Sequence, residues 1–411
     1  MNTTSLLPAN FDLDSAHDPL MNATLALERC ARLLDLEGWV VERLRHCEQE
    51  TTINFLMSEG DRAHPATGIV VRHCSAAGRV VVPIQVSRDC YRNSVCAEAM
   101  RISWLCALFG LRYGGGAGAL IVDPAKHNER ELRRGLTVFA ESAKEVLSSA
   151  GVLFPSGLHA VEMDWLEAGL GDHLEGHPVV AGRASVRTPS YVNELAAGLA
   201  ELIRCAAGGW KQRIAVQGFD EDVRALVSYL HQKGGRLVAV ADPSGGIRHE
   251  LGLDPQLLEE HVSGHGALLG YPDGEAVLNA DVLQADCDVL ILAGGERQIT
   301  TQNAAGIRAR VILEPTAGAV ADGVAQQLCD RGTLLVSDLL CAGPAVLRAV
   351  AEAEQIGAGA RRMAWIRRCV RETWRNVLEA AQRWKLPAHQ AATVLAVQRV
   401  AAILRAQGTS F

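Results

Sequence analysis

The chain has 411 residues, is 48% hydrophobic and 21% charged, and carries a formal net charge of −7. That length exceeds one ordinary core and predicts two domains, and the composition is that of a globular protein. An acidic balance, with no lysine/arginine cluster beside an aromatic platform, excludes the electrostatic footprint of a nucleic-acid or anionic-membrane binder.

The start, "MNTTSLLPANFDLDSAHDPL", has no basic region followed by an apolar one, and no run of about 18 apolar residues suggests a membrane span. The eleven cysteines are scattered singly, without Cys-x-x-Cys or other metal-type spacing. Reduced thiols in a cytoplasmic protein are the expectation. Residues 20–60 read as helical, because apolar positions in "ATLALERCARLLDLEGWVVERL" recur at three and four. Residues 67–86, "TGIVVRHCSAAGRVVVPIQV", read as two strands around a small-residue turn. "NSVCAEAMRISWLCALFGL" is a long apolar helix that leads into "RYGGGAGALIVDP", a glycine-dense turn and a buried strand. "ERELRRGLTVFAESAKEVLSSAG" is an amphipathic helix closed by Gly151. Between about 150 and 190 the periodicity weakens into loop or the edge of a cleft. The helix "VNELAAGLAELIRCAAGG" follows.

Short apolar runs then alternate with helical ones: "RIAVQGF", "RLVAVAD", "DVLILAG", "RVILEP", "TLLVSD". Such alternation predicts a parallel sheet with helices on both faces. From "DLLCAGPAV" onward the chain reads as helical and ends in a helical hairpin. The predicted fold is mixed α/β. An N-terminal α+β substrate and oligomerisation domain covers residues 1–190, and a Rossmann-like doubly wound domain covers 191–345. C-terminal helices over 346–411 pack back across both.

In this order the chain resembles the glutamate/leucine/phenylalanine/valine dehydrogenase family. The segments that carry the resemblance are "WLCALFGLRYGGGAGALIVDP", "IAVQGF", "VAVADPSGGI", "CDVLILAGGERQITTQNAAGI", "RVILEPTAG" and "RGTLLVSDLLCAGPAV". The resemblance implies oxidative deamination of an L-amino acid with NAD or NADP, and a homo-oligomer built through the first domain. It also implies lysines at three positions where this chain has Val81, Leu105 and Ala117. Val82 and Pro83 stand where the family has glycines after the first of them. The implied catalytic aspartate falls near Pro155, and no Asp lies between Gly151 and Met163. Two implied asparagines are Ala317 and Ala342.

These losses have chemical consequences. An α-carboxylate is held by cations, and water addition to an iminium needs a lysine of depressed pKa. The leaving amine needs a carboxyl group to shuttle its proton. Valine, leucine, alanine and proline supply none of these. Arg79, two residues from Val81, shares a strand face with it and is the nearest substitute cation. In the nucleotide unit the turn reads Gly218-Phe219-Asp220-Glu221-Asp222-Val223. Like charges 4 Å apart repel by about 4 kcal/mol at an effective dielectric near 20. Three acids therefore oppose a diphosphate where glycines and a helix N-terminus ordinarily receive one. Asp220 instead suits a helix N-cap. Asp242 stands at the position of a ribose-binding acid, or equally of a strand-end turn residue. Gly218 and Asp242 are thus the remaining nucleotide-site candidates.

His73, Tyr113, His159 and Glu162 are the remaining candidates for chemistry. His73 reads as a hydrogen-bonded scaffold residue, and Tyr113 with Gly114–Gly118 as a tight turn below the pocket. His159 and Glu162 read as surface loop residues. Cys341 reads as packing rather than as a nucleophile. Arg187 and Thr188 align with a family pair near the nucleotide. The leading expectation is a pseudoenzyme with a binding, regulatory or scaffolding role, beside an active dehydrogenase relative or a small-molecule ligand. No cofactor is expected unless the degenerate site still binds NAD or NADP; no metal is expected. The alternative is a repurposed enzyme acting on an amino-acid-, imine- or keto-acid-like metabolite in the old cleft. Behind it stands a true oxidoreductase with relocated groups.

Overall fold

The computed structural model describes residues 18–59, 62–148, 150–171, 178–183 and 189–408. Its first half opens with helices α1 (Pro19–Leu34) and α2 (Gly38–Arg45). Asp18 caps α1 by accepting the Leu20 N–H at 2.9 Å, and Pro19 pre-sets the first helical φ. There follow β1 (Gln49–Glu59), β2 (Arg62–Cys74), β3 (Val80–Val86), α3 (Arg92–Leu108) and β4 (Gly114–Ile121). Next come α4 (Glu129–Ser142), α5 (Lys144–Ser148), β5 (Ala150–Pro155), α6 (Ala160–Leu170) and β6 (Val179–Val180). Among the described residues these strands form a six-stranded sheet in the order β1-β2-β4-β3-β5-β6. β1, β2 and β4 pair antiparallel; β4, β3, β5 and β6 pair parallel.

Four local expectations are corrected here. Residues 49–59 are strand, not helix: "TTINF" is β-branched and alternates half-buried with exposed positions along β1. Within the span from 150 to 190, read as loop or the edge of a cleft, the described residues include the regular elements β5, α6 and β6. Gly151 does not close a helix; it lies inside β5. Gly114–Gly118 are not a turn but the first part of β4. A Cβ on Gly115 would lie 2.1 Å from the backbone N of Ser103, and one on Gly114 1.8 Å from the Cys74 carbonyl oxygen. These glycines let α3 and β2 close directly onto the strand.

The second half runs α7 (Pro189–Ala207), β7 (Arg213–Gln217), α8 (Glu221–Gln232), β8 (Arg236–Asp242), β9 (Gly245–Leu253) and α9 (Pro255–His265). It continues with β10 (Glu275–Val277), α10 (Asn279–Leu283), β11 (Val289–Leu292), β12 (Val311–Leu313), α11 (Asp322–Asp330) and β13 (Leu334–Val336). The described strands order as β10-β9-β8-β7-β11-β12-β13. β8, β7, β11, β12 and β13 are parallel, as the alternation of apolar and helical runs predicts. β9 and β10 add an antiparallel edge that the pattern did not reveal, because "GGIRHELGL" carries its apolar residues only at its two ends.

The chain ends in α12 (Asp338–Cys341), α13 (Gly343–Ala353), α14 (Ala360–Trp384) and α15 (Ala388–Gln407). The hairpin of α14 and α15 packs on both halves: α14 lies along α7, and α15 lies against α1 and α3. At the α7–α14 seam the side chain of Glu201 is fully buried. It accepts from Arg204 at 2.7 Å, Arg367 at 2.8 Å and Arg371 at 3.1 Å. Burial alone raises its carboxyl pKa, but hydrogen bonds from Arg204, Arg367 and Arg371 outweigh that and hold it below the usual value.

Removing this carboxylate leaves three guanidinium groups crowded without a counter-charge. Glu201→Ala is expected to destabilise the fold by about 2–4 kcal/mol, toward the low end because the arginines keep part of their hydration. Because the folded-state pKa is depressed, this contribution is present above the unfolded carboxyl range and is lost as pH falls through the folded value. Chemical denaturation of wild type and Glu201→Ala at neutral and acid pH checks both statements: the difference between them shrinks in acid.

Candidate functional site

The parallel register of β3 against β4 and β5 defines one wall. Val81 pairs with Gly115 and Val152, and Pro83 pairs with Phe154. The same register sets Ala117 beside Pro83. Neighbours in a parallel ladder point to the same face, so Val81, Pro83, Ala117, Val152 and Phe154 line one side of the sheet. α3 covers that side and contributes Leu105. Val81, Leu105, Ala117 and Val152 are all at or below 1% exposure, and Phe154 is buried. Pro155 is half-buried at the end of β5, opposite Ile84. The three positions where the resemblance implies lysines are therefore buried and apolar, whereas Pro155, where it implies an aspartate, lies with Ile84 on the opposite face. Arg79 does not replace them: its Nη2 donates to the Ala150 carbonyl at 2.6 Å.

The second half closes over this wall. α13 packs on β5 and α12 on α3. The ring of Phe109 presses on Gly343, where a Cβ would lie 2.1 Å from its Cζ. Arg101 of α3 is ion-paired with Asp338 of α12. The Tyr113 hydroxyl donates to Glu354 at 2.6 Å. Val81, Leu105, Phe154, Leu339, Cys341, Val346 and Leu347 belong to one buried cluster that crosses the seam. A void beside Tyr113 and Ser103 has a volume of about 10 Å³, no more than one water needs. A groove of about 390 Å³ lies elsewhere, at the start of β7 beside Arg213, Arg248 and Asp286.

At the nucleotide turn, Gly218 has φ +98° and lies so close to the loop after β11 that a Cβ would come 2.6 Å from the Ala293 carbonyl carbon. Asp220 is the N-cap of α8 and accepts from the Val223 N–H at 2.9 Å. Glu221 and Asp222 occupy the exposed first turn, where they complement the helix dipole. Val223 is buried under the helix. Asp242 accepts from Ser244 N–H at 2.7 Å and Leu268 N–H at 2.8 Å, so its carboxylate pins a turn and the 268 loop. Ala317 is exposed, and half-buried Ala342 joins α12 to α13.

The other sequence candidates are dispersed among separate partners. His73 is buried on β2: its Nε2–H donates to the Leu44 carbonyl at 2.8 Å, and Nδ1 accepts from the Ser103 hydroxyl at 2.8 Å. Burial pushes its pKa down to about 4. Tyr113 is spent on Glu354, and burial, then the Glu354 carboxylate, push its phenol up. His159 is an exposed residue of the connection before α6 and its N-cap, whereas Glu162 lies in the helix's first turn and accepts the His159 N–H at 2.6 Å. Cys341 is buried with its thiol pushed well up by desolvation. Arg187 and Thr188 lie outside the described residues. Sequence reasoning missed the Arg101–Asp338 and Tyr113–Glu354 bridges. Their partners lie 237 and 241 residues apart, and no local pattern joins them.

Comparison with known proteins agrees with this architecture. Residues 47–167 match the Glu/Leu/Phe/Val dehydrogenase dimerisation domain, and residues 196–408 match the Glutamate/Leucine/Phenylalanine/Valine dehydrogenase domain. The chain is 27% identical over 402 residues to a glutamate dehydrogenase of Thermotoga maritima, covering 92% of this chain and 96% of that one. It is 27% identical over 334 residues to an NADP-specific glutamate dehydrogenase of Saccharolobus shibatae, covering 76% and 77% respectively. It superposes on a hetero-hexameric glutamate dehydrogenase from Thermus thermophilus in a Leu-bound form, with a TM-score of 0.87 at 22% identity over 97% of this chain and 99% of that chain.

Two expectations follow from the geometry. His73 titrates near pH 4 in the fold against about 6.5 unfolded. Its imidazole should remain neutral in NMR spectra at pH 5.5, and its share of the stability is present above pH 6.5 and lost as pH falls toward 4. Asp220→Ala should cost about 1 kcal/mol through loss of the helix cap, read as a lower urea midpoint with an unchanged slope.

Proposed function

The chain belongs to the glutamate/leucine/phenylalanine/valine dehydrogenase family, and from that premise we propose that it is a member that does not carry out NAD(P)-dependent oxidative deamination. It acts as a binding, regulatory or scaffolding subunit beside an active relative. The observation that carries this reading is the burial of Val81, Leu105 and Phe154 in one apolar core with α12 and α13, with Ala117 buried in a neighbouring apolar cluster under α3. A zwitterionic substrate needs fixed charges there, and burying its own charges unpaired is costly. Relatives in this family are named as NAD- or NADP-specific. In this chain the groups facing a diphosphate are instead the α8 cap and its acidic first turn.

A subunit role also has support from the family's assemblies. Residues 47–167 match the dimerisation domain, and a hetero-hexameric relative shows that an assembly of this fold accommodates more than one kind of chain. The repurposed-enzyme reading would gain if His73, Gln85, Tyr113, His159 or Glu162 converged on one pocket. His73 is instead bonded to Ser103, Tyr113 to Glu354, and Glu162 to the His159 backbone.

The test is direct. Dialysed protein incubated with NAD or NADP and glutamate, leucine, valine or phenylalanine should yield no reduced nucleotide above a rate about 10⁴-fold below that of an active relative. Robust turnover with any of the four overturns the reading. Co-expression with an active dehydrogenase from the same cell, followed by native mass spectrometry, should give mixed oligomers; exclusively separate oligomers contradict the subunit role.

A further inference from the structure

Outside the old cleft, the side chains of Cys47, Glu50 and Cys96 bring one donor atom each within 4.8 Å of one another. Cys47 lies in the connection between α2 and β1, Glu50 is the second residue of β1, and Cys96 is in the second turn of α3. Cys96 is buried and Cys47 half-buried, while Glu50 reaches the surface, so the cluster opens to water on its carboxylate side. Neither sequence spacing nor motif joins the three; the docking of α3 against the α2–β1 connection does.

We propose that these three residues form a binding site for a thiophilic divalent ion of the zinc class, held by two sulfurs and one carboxylate oxygen, with the fourth position left to water. Ligand type supports this, since paired thiolates disfavour magnesium and calcium and favour zinc-like ions. Size supports it as well. Tetrahedral zinc with sulfur at about 2.3 Å and oxygen at about 2.0–2.2 Å needs donors roughly 3.5–3.8 Å apart. The observed donors, within 4.8 Å of one another, stand about 1 Å outside that span. Charge is also managed: two thiolates and a carboxylate exceed a divalent ion by one negative charge, and Arg92 stands beside them. Its Nε meets Glu50 Oε2 at 2.6 Å and its Nη2 donates to Oε1 at 2.7 Å, which orients the carboxylate as an outer partner of a metal ligand does. Binding releases two protons from the two thiols and forms two metal–sulfur bonds and one metal–oxygen bond. No oxidant is required, and uptake strengthens as pH rises.

Reduced, chelator-stripped full-length protein titrated with Co²⁺ tests the site. One Co²⁺ per chain should bind with a near-ultraviolet sulfur-to-cobalt charge-transfer band and the visible bands of a tetrahedral ion, both bleached by Zn²⁺. Cys47→Ser and Cys96→Ser should each abolish the charge-transfer band, whereas Cys205→Ser leaves it intact. Glu50→Gln should keep the band and weaken Co²⁺ affinity at least tenfold. Zn²⁺ should raise the melting temperature of wild type and not of Cys47→Ser. Absence of the band, or its survival in Cys47→Ser that is folded by circular dichroism, overturns the proposal. So does loss of the two thiols as a disulfide in air from protein that takes up no cobalt while reduced.

Discussion

Water is excluded from the seam between the two sheets by side chains drawn from both sides of it. Val81, Leu105 and Phe154 come from the first half, and Leu339, Cys341, Val346 and Leu347 from the second, in one buried cluster. That desolvation constrains everything placed there. A lysine ammonium buried at such a position loses its proton or forces the seam open, because an unpaired charge in a low-dielectric core costs several kcal/mol. A partly polar site is also less stable than a fully apolar one, since each remaining group keeps its desolvation cost after its partner has gone. On the proposed reading, this is why the family's cations are replaced as a set rather than singly: a charge left in the pocket without a substrate partner would destabilise the fold.

The nucleotide turn carries an electrostatic constraint of its own. The four free N–H groups at the start of α8 require acceptors. A bound diphosphate supplies them in a dinucleotide site. In this chain Asp220 accepts one of them directly, and Glu221 and Asp222 set negative charge against the positive end of the dipole. Asp242, which in such a site faces a ribose, holds the backbone of Ser244 and Leu268. Asp220, Glu221 and Asp222 stabilise the start of α8 with the same negative charge that would oppose a phosphate placed there.

The sequence reveals the parallel core of the second half because its strands are short apolar runs bounded by turn residues. "RIAVQ" and "RLVAVAD" coincide with β7 and β8. It conceals elements whose burial comes from tertiary contact. β1 follows an amphipathic helical stretch across the polar run Glu48–Glu50 with no glycine or proline between them, and only the β-branched pair Thr51–Thr52 and Ile53 mark it. The run Gly114–Gly118 looks like a turn because glycine is permissive; here its function is to present no Cβ to Ser103 and Cys74. The apolar residues of the candidate site are legible one at a time by position. Their convergence is not, because it depends on the register of β3 against β4 and β5. Long-range polar bridges such as Arg101–Asp338 leave no trace at all in local pattern.

Those bridges bear on what kind of molecule the closed seam makes. Enzymes that close over substrate commonly cycle between open and closed forms, and the free-energy gap between those forms must be small for turnover. Here opening separates Phe109 from Gly343, α13 from β5, Arg101 from Asp338 and Tyr113 from Glu354. Each large apolar side chain returned to water costs about 1.5–3 kcal/mol. The wall positions Val81, Leu105 and Ala117 offer no charge with which a substrate could bias the equilibrium back on closing. On the proposed reading, a seam closed by its own apolar contacts favours the closed form without a ligand. That suits a subunit whose contribution to an assembly is a fixed surface, since a rigid neighbour passes on strain from one interface to another instead of absorbing it. On the proposed reading, the features that remove the old chemistry and those that make a dependable partner are the same side chains.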